Sequence, residues 1–320
     1  MRRVALIYNP ASGQHSARRA AVIGGALIVL RRAGMEAEAL ETNAPGSAGT
    51  QALEAVRQGC DTIIACGGDG TVHEILQCLV GTTVALGVVP LGTANALAAD
   101  LGLNNGFGAS PVKAVEMLLQ ATPVRVPVGR IFYRNAEGLQ SSRYFTVAAG
   151  VGADALCIAR LNATWKRRLG YALYMVEMMR VWATHPFPLF EAVLVARGGA
   201  SPRVEQVSQL LAVRIRDFGG MLHNLAPGAS LRNDTLRLLA FKTRNRFHYL
   251  RFVMASLFRR QTFSHEIELA DAVSVECRAV NGSASRVFVE ADGELLGSLP
   301  VRIEMVPDAL TLLIPSHAQP

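Results

Sequence analysis

A glycine-rich stretch at residues 66–71, Cys-Gly-Gly-Asp-Gly-Thr, constrains the fold most, because it joins a strand pattern to a helix pattern. Residues 61–66 are typical of a buried strand, and residues 71–80 predict a short helix. Glycines let backbone N–H groups approach an anion closely, and the N-terminus of a helix favours negative charge. The stretch therefore predicts a phosphate-binding loop at the end of a strand.

Asp69 is the lone carboxylate in this loop and would repel a bare phosphate. Its presence is explained if Mg²⁺, bound directly or through water, lies between the two negative groups. We therefore expect Asp69 to act on a metal and not in the core. The alternative is an ordinary strand-to-helix turn in which Thr71 and Glu74 form a capping box, and for Glu74 both interpretations stay open.

Strands and helices alternate through the first 125 residues. Strand patterns occupy residues 3–8, 36–41, 62–66 and 84–89, with helix patterns at 15–32 and 51–58. This alternation indicates an α/β layer with a mostly parallel sheet. In such sheets ligands bind at the carboxyl ends of the strands, where Asn9, Thr42 and Asp69 all fall.

Two further loops follow strands in the same way. The first is Asn9-Pro10-Ala11-Ser12-Gly13, which lacks the lysine of a Walker loop, so phosphate would be held by backbone N–H groups and by the Asn9 and Ser12 side chains. The second, residues 90–98, places Thr93 as the expected N-cap of a helix running to Leu101. Asn95 would then lie inside the first turn, where its amide needs another partner.

Composition narrows the class of protein. With 320 residues, half of them hydrophobic, the chain has room for about two domains. The longest uncharged run in the first helix pattern has 11 residues, short of the roughly 20 that span a membrane.

Five cysteines without metal-binding spacing predict reduced thiols in a cytoplasm. The net charge of +7 lies wholly after residue 125, which favours an anionic surface as partner.

After residue 125 the helix patterns give way to short strands separated by turns, which predicts a β-sandwich and a domain boundary near that residue. The strand patterns lie at residues 143–149, 190–195, 209–216, 235–241, 263–269, 273–276, 286–291 and 302–306. Two helix patterns interrupt them, at residues 165–182 and 244–260. The second has an apolar face that includes Phe247 and Met254 and is rich in arginine, so it either packs on a core or contacts an anionic lipid leaflet.

Three motifs together resemble a known family: residues 9–13, Gly67-Gly68-Asp69-Gly70-Thr71, and Pro90-x-Gly92-Thr93-x-Asn95. They are similar to the nucleotide-site motifs of the diacylglycerol kinase and sphingosine kinase catalytic-domain family, which includes soluble bacterial lipid kinases. The resemblance implies an α/β N-terminal domain with a mostly parallel sheet, like that of NAD kinases and phosphofructokinases, plus a C-terminal β-sandwich. It implies a nucleotide-binding domain at residues 1–125, joined by a returning segment at about 308–320, and a lipid-substrate domain at 126–307.

The resemblance also implies the site residues. ATP would be bound by Asn9, Pro10, Ala11, Ser12, Gly13, Thr42, Gly67, Gly68, Asp69, Gly70, Thr71, Val72, His73, Glu74, Thr93 and Asn95, with Asp69 on Mg²⁺. In Glu290-Ala291-Asp292-Gly293-Glu294 the family places the base that takes the acceptor's hydroxyl proton, so Asp292 and Glu294 are both expected to be catalytic, with a lean towards Asp292. Asp-Gly between apolar strands is equally a hairpin signal.

Departures from the family pattern leave the acceptor open. Ala96 stands where many bacterial members have an aspartate, so diacylglycerol is the first expectation and a sphingoid base, ceramide or another lipid alcohol the second. Ala153 replaces a common aromatic in the segment 150–155. Gly219-Gly220 and residues 227–234 resemble the segment around which the family holds a structural metal, but Thr235 replaces the glycine that usually follows, so no metal is expected there. An NAD kinase and a non-catalytic nucleotide or lipid sensor are the alternatives.

The expected partner is a lipid substrate at an anionic membrane surface, contacted by the two helix patterns of the second domain, with the protein cytoplasmic and peripherally associated. Nucleic acid is not expected, because neither a recognition motif nor an array of stacking aromatics is present. A homodimer is left open.

Overall fold

The computed structural model describes residues 1–10, 12, 19–103, 110–160, 176–199, 201–218, 224–257, 260, 263–280 and 286–316. Within it the chain forms two compact units, one made of Met1–Val126 with Asp308–Pro320 and the other of Pro127–Pro307. The chain passes between the units twice. Each unit is built around buried apolar residues.

The first unit contains a parallel sheet of four strands in the order β2-β1-β3-β4. The strands are β1 (Arg3–Tyr8), β2 (Glu36–Glu41), β3 (Thr62–Gly67) and β4 (Ala85–Pro90). Every residue of β3 and β4 is buried, as expected for parallel strands covered on both faces. The last strand of the chain, β16 (Val301–Ile314), adds its C-terminal residues to β4 in parallel, pairing Thr311 with Ala85.

Five helices connect these strands in the described part of the first unit. They are α1 (Arg19–Arg32), α2 (Ser47–Arg57), α3 (Asp69–Leu79), α4 (Ala96–Asp100) and α5 (Pro111–Leu119). The helix predicted to begin at residue 15 is described only from Arg19. The helix predicted over residues 71–80 begins two residues earlier, because the extended backbone of Gly68 serves as its N-cap. The expected α/β fold is confirmed.

The second unit is built from antiparallel strands that form two facing layers. One layer holds β5 (Thr122–Arg134), β6 (Gln140–Phe145), β8 (Phe190–Val195), β9 (Arg203–Val207), β13 (Ser274–Ala279) and the N-terminal part of β16. The other has the order β12-β11-β10-β7-β14-β15, formed by β7 (Ala148–Val151), β10 (Gln209–Val213), β11 (Leu236–Phe241), β12 (Ile267–Ala272), β14 (Phe288–Ala291) and β15 (Glu294–Ser298). The expected β-sandwich is confirmed. The strand predicted at residues 302–306 continues without a break to Ile314.

Three helices of the second unit pack on the latter layer: α6 (Ala153–Arg160), α7 (residues 176–184) and α8 (Arg246–Leu257). Their buried side chains include Cys157, Val181 and Tyr249, which cluster with Phe241 of β11. None of the described helices is long and apolar enough to cross a membrane.

The α8 helix turns a different face to the core than its pattern predicts. Phe247 and Met254, expected on the apolar face, are 65% and 44% exposed, whereas Tyr249 and Phe252 are buried. The reason is that Tyr249 stacks on Phe241 with ring centroids 4.4 Å apart, which orients the helix. Residues 165–175, 258 and 259 of the predicted helices lie outside the described residues.

Candidate functional site

The carboxyl ends of the four parallel strands bring the first set of predicted site residues to one edge of the sheet. The loops there extend the strand ladder, with Asn9 N–H donating to the Cys66 carbonyl at 3.2 Å and Thr42 N–H donating to the Tyr8 carbonyl at 2.9 Å. Leu91 N–H likewise donates to the Gly67 carbonyl at 2.8 Å. The polar loops therefore begin side by side.

The loops after β3 and β4 touch backbone to backbone. A Cβ added to Gly92 would lie 2.5 Å from Gly68 Cα and 2.9 Å from Asn95 Oδ1. A Cβ on Gly67 would collide with the Thr71 side chain. Glycine fits at both positions, because a larger residue at Gly92 would push the two loops apart and one at Gly67 would strike the Thr71 side chain.

Asp69 joins these two loops through its carboxylate. Its Oδ2 accepts the Asn95 N–H at 2.9 Å and its Oδ1 accepts the Ala96 N–H at 2.7 Å, at the start of α4. Asn95 adopts a left-handed backbone with φ of 52° and closes the loop by exchanging two side-chain hydrogen bonds of 2.8 Å with the backbone of Gly92. The expectation that Thr93 caps this helix was wrong, because the helix begins at Ala96 and Asp69 supplies the acceptors.

This arrangement corrects the expectation that Asp69 has no part in the packing of its unit. Each of its oxygens accepts a backbone N–H, so the carboxylate helps to hold the two loops together. A carboxylate is a ligand type that magnesium takes, directly or through water, and the N–H groups at the adjoining N-terminus of α3 suit the phosphate that such an ion would accompany. The metal role of Asp69 stays a prediction.

Glu74 acts on a different helix from the one the capping box would predict. Its Oε1 accepts the Gly46 N–H at 2.8 Å and its Oε2 accepts the Ala48 N–H at 3.2 Å, at the start of α2. Helix α3 itself has no side-chain cap. The capping-box interpretation was therefore wrong, because the carboxylate reaches across to the neighbouring helix.

The remaining predicted nucleotide residues differ in accessibility. Thr71, Val72 and His73 have buried side chains, so their contribution to a ligand would come from backbone atoms. The Ser12 N–H donates to the Asn9 carbonyl at 3.2 Å and so closes the first loop, which also contains Pro10. Ala11 and Gly13 lie outside the described residues. Gly70 lies in the first turn of α3, and Thr93 lies in the loop after β4 that the Asp69 carboxylate holds.

In the second unit, Asp292 and Gly293 form the two-residue turn of the hairpin β14–β15, both with positive φ, of 48° and 80°. The hairpin prediction is confirmed. The Asp292 carboxylate accepts the N–H groups of Thr146, Val147 and Ala148 at 2.9 to 3.1 Å, where the chain passes from β6 to β7. It is thus held in one orientation.

Glu294, the first residue of β15, is exposed. Its side chain therefore has more freedom to move than that of Asp292, whose carboxylate accepts three backbone N–H groups. The role of either carboxylate as a base stays a prediction.

Sequence reasoning missed that Asp154 and Glu290 converge in the interior of the second unit. A Cβ on Gly150 would overlap Asp154 Oδ2 and lie 2.8 Å from Glu290 Oε1. Burial of the carboxyl group raises the pKa of Asp154 to about 7, against the opposing effect of the Ala155 and Asp154 N–H groups. The strand pattern carried no signal for this approach, because Glu290 lies on the face of β14 opposite to Val289 and Ala291, which pack in the core of the second unit.

Arg214 is a second residue that the pattern did not reveal. Its fully buried guanidinium donates to the carbonyls of Leu231, Asn233 and Thr235 at 2.7 to 3.1 Å, in the segment that resembles a structural metal site. Burial lowers the pKa of the Arg214 guanidinium to about 10, while the negative charge of Asp234 acts in the opposite direction. A side-chain cation therefore organises these carbonyls. Gly219 and Gly220 lie outside the described residues.

Comparison with family models gives two consecutive matches. The model described as "Diacylglycerol kinase catalytic domain" matches residues 3–131, and that described as "YegS C-terminal NAD kinase beta sandwich-like domain" matches residues 146–314. Together they span nearly all of the chain.

Individual proteins agree with these matches. A protein of Mycobacterium tuberculosis (strain ATCC 25618 / H37Rv) named diacylglycerol kinase is 28% identical over 318 residues, covering 98% of this chain and 96% of that protein. One of Bacillus subtilis (strain 168) with the same name is 26% identical over 302 residues, covering 94% and 92%. A crystal structure described as a diacylglycerol kinase from Bacillus anthracis str. Sterne has a TM-score of 0.75 at 21% identity, covering 98% of each chain. At this sequence identity, the structural similarity shows that the two chains share a fold.

We predict that Asp69→Ala lowers the stability of the first unit by about 1 to 2 kcal/mol, because the α4 N-terminus loses its acceptors. Asp69→Asn keeps one acceptor oxygen and should lose less. Urea unfolding followed by circular dichroism measures both, with Glu54→Ala, an exposed carboxylate on α2, as control. Equal stability of Asp69→Ala and the control would show that the carboxylate does not hold the loops.

Proposed function

Because the chain belongs to the family in which a diacylglycerol kinase catalytic domain precedes a YegS C-terminal NAD kinase beta sandwich-like domain, we propose that it is an ATP- and Mg²⁺-dependent lipid kinase. The acceptor proposed first is diacylglycerol, the substrate in the names of its relatives, with a sphingoid base, ceramide or another lipid alcohol second. The observation that carries the proposal is the pair of glycine loops joined by Asp69 at the carboxyl ends of the parallel strands.

The first unit is the proposed nucleotide-binding domain. Phosphate oxygens would accept N–H groups from the loop at Gly68 and from the N-terminus of α3, where the helix dipole favours negative charge. Asn9, Ser12 and Thr42 would add polar contacts from the neighbouring loops at the same edge. Asp69 would hold Mg²⁺ through water, and the metal would neutralise phosphate charge.

The second unit is the proposed lipid-substrate domain. In the proposed transfer the acceptor hydroxyl loses its proton to a carboxylate, its oxygen bonds to the γ-phosphorus of ATP, and the bond from that phosphorus to ADP breaks. Asp292 is the first choice for this base, because three backbone N–H donors fix the orientation of its carboxylate at the tip of the hairpin turn. Glu294 is the alternative, because it is exposed and free to approach a substrate.

Incubation with labelled ATP, Mg²⁺ and a mixed lipid extract in detergent tests the proposal, with NAD offered in parallel as acceptor. We expect label in a lipid and none in NAD. Label in NAD would identify the chain as an NAD kinase, and label in neither, with ATP still bound, would identify it as a nucleotide sensor. Repeating the assay with purified diacylglycerol, ceramide and a sphingoid base identifies the acceptor.

For the base, we predict that Asp292→Asn lowers turnover by roughly 10² to 10⁴ with nearly unchanged ATP affinity, and that Glu294→Gln loses less. Thermal unfolding of both variants is measured alongside, because the amide introduced at position 292 would face backbone N–H groups. A larger loss for a stably folded Glu294→Gln would move the role of base to Glu294. Full turnover in both variants would leave the hairpin without a catalytic role.

We further propose that an anionic membrane surface presents the lipid to the second unit. Helices α7 and α8 lie side by side, with Trp182 Nε1 donating to the Arg246 carbonyl at 2.7 Å. Together they expose Val176, Met179, Phe247 and Met254, which we term the α7–α8 surface. Exposed arginines accompany it, at positions 180, 244, 251 and 260. Apolar side chains flanked by arginine match the boundary between lipid tails and anionic headgroups.

We expect the protein to sediment with phosphatidylserine-containing vesicles at low salt and less at high salt, because each basic residue near an anionic leaflet contributes about 1 kcal/mol before screening. Phe247→Asp combined with Met254→Asp should abolish sedimentation, whereas Leu139→Asp, at an equally exposed apolar position elsewhere in the unit, should not. Equal binding to neutral vesicles, or equal loss in the control, would contradict this role of the α7–α8 surface.

A further inference from the structure

Four main-chain carbonyl oxygens converge on the guanidinium of Arg214, the residue that follows β10. Its Nη1 donates to the carbonyls of Asn233 and Thr235 at 2.7 and 3.1 Å. Its Nη2 donates to the carbonyls of Leu231 and Pro127 at 2.8 and 2.9 Å. Four of the five N–H groups of the guanidinium are thus used, and only Nε lacks an acceptor in the described part of the chain. We term these four oxygens the carbonyl cage.

The carbonyl cage joins parts of the second unit that are distant in sequence. Pro127 lies on β5 in one layer of the sandwich, whereas residues 231–235 lead into β11 of the other layer. Residues 231–235 belong to no helix or strand, so their carbonyls find their hydrogen-bond donors outside a strand ladder. Removal of the guanidinium therefore takes the donor from four carbonyls at once.

The side chain inside the cage is a permanent cation. Arg214 is fully buried, and although burial lowers the pKa of its guanidinium to about 10, the group stays protonated at neutral pH. The carboxylate of Asp234 acts on it from a half-exposed position, where its Oδ2 also lies 3.2 Å from Arg197 Nη1. The charge is thus balanced by carbonyl dipoles and by one nearby acid.

The same set of oxygens would suit a metal ion. Main-chain carbonyls and a carboxylate are the ligands that calcium and magnesium take in proteins. Here the carbonyls point at a guanidinium, and a second cation placed among them would lie beside a buried positive charge, where repulsion is strong. The segment that resembles a structural metal site therefore does not fit a metal in this chain.

We propose that the guanidinium of Arg214 is the built-in cation of the carbonyl cage, in the place that a structural divalent ion would otherwise take. The second unit then folds and stays folded without Mg²⁺ or Ca²⁺. One consequence rests on the proposed lipid kinase function: the Mg²⁺ requirement of the reaction belongs wholly to the nucleotide. The role of Arg214 in the cage does not depend on that function.

Thermal unfolding of the whole chain without nucleotide tests whether the second unit needs a metal. Both tryptophans, Trp165 and Trp182, fall between residues 127 and 307, so their fluorescence follows the second unit. The wild type should melt at the same temperature, within about 1 °C, after dialysis against EDTA and after addition of about 5 mM Mg²⁺ or Ca²⁺. A lower melting temperature in EDTA that either ion restores would overturn the proposal.

Chemical rescue tests whether the cage holds a cation. Arg214→Ala should melt at least about 6 °C below the wild type, because buried carbonyls lose their donor. Guanidinium at about 5 mM should restore part of this loss, whereas urea, which is uncharged and similar in shape, should not, and neither should shift the wild type. Arg197→Ala, which removes an exposed partner of Asp234, should melt near the wild type.

Two results would contradict the cage as a cation site: full stability of Arg214→Ala, or a loss that guanidinium does not restore better than urea. If Arg214→Ala does not fold, Arg214→Lys and Arg214→Met replace it. Lysine keeps the charge and three N–H donors, so Arg214→Lys should melt at least about 3 °C above Arg214→Met. Equal melting temperatures of these two variants would contradict the proposal as well.

The consequence for the reaction is tested with wild-type protein treated with EDTA and then given ATP, Mg²⁺ and lipid. Turnover should return fully and without delay, because no metal has to re-enter the second unit. A loss of turnover that Mg²⁺ does not reverse would contradict the proposal. An unchanged melting temperature together with no turnover even before EDTA would instead contradict the proposed function and leave the role of Arg214 standing.

Discussion

The carboxylate of Asp69 is the contact on which the edge of the parallel sheet depends. By accepting the N–H groups of Asn95 and Ala96, it fixes the loop after β4 against the loop after β3. Gly92 and Gly68 then approach too closely for any side chain between them. A loop that offers its N–H groups to a phosphate binds it well only if the loop keeps its shape before the ligand arrives, and this contact provides that shape.

Other acidic residues of the chain act in the same manner. Glu74 holds the start of α2, Asp292 holds the passage from β6 to β7, and Glu290 holds the Asp292 turn. Apart from Glu290, each of these carboxylates accepts backbone N–H groups from a segment distant in sequence. Loss of activity in a variant of any of them therefore has to be separated from loss of loop geometry. Conservative amide variants and stability measurements make that separation.

Much of the architecture could be predicted because it depends on local pattern. The strand β3 and its glycine loop, the alternation in the first unit, and the Asp292–Gly293 hairpin all follow from hydrophobic period and turn chemistry. The same holds for the sandwich of the second unit. These features could be predicted because they depend on residues that are close together in the sequence.

The failures have one cause, which is that a side chain can serve a segment far from its own. Thr93 was assigned to cap α4, but the acceptor came from Asp69, 26 residues before Asn95. Glu74 capped another helix, and α8 turned its face because Tyr249 stacks on β11. Asp154 meets Glu290 from a distant part of the chain, and no local pattern encodes such a pairing. The sequence revealed the residue types at the site but not which backbone each would hold.

The affinity of Gly92→Ala for ATP tests most directly whether the closely packed glycine loops form the nucleotide site. Calorimetry with ATP and Mg²⁺ would compare this variant with the wild type and with Gly24→Ala, where an added Cβ meets nothing within 4 Å. A folded Gly92→Ala should bind ATP at least about tenfold more weakly, a loss of roughly 1.4 kcal/mol, while Gly24→Ala should bind normally. Wild-type affinity in Gly92→Ala would contradict the account.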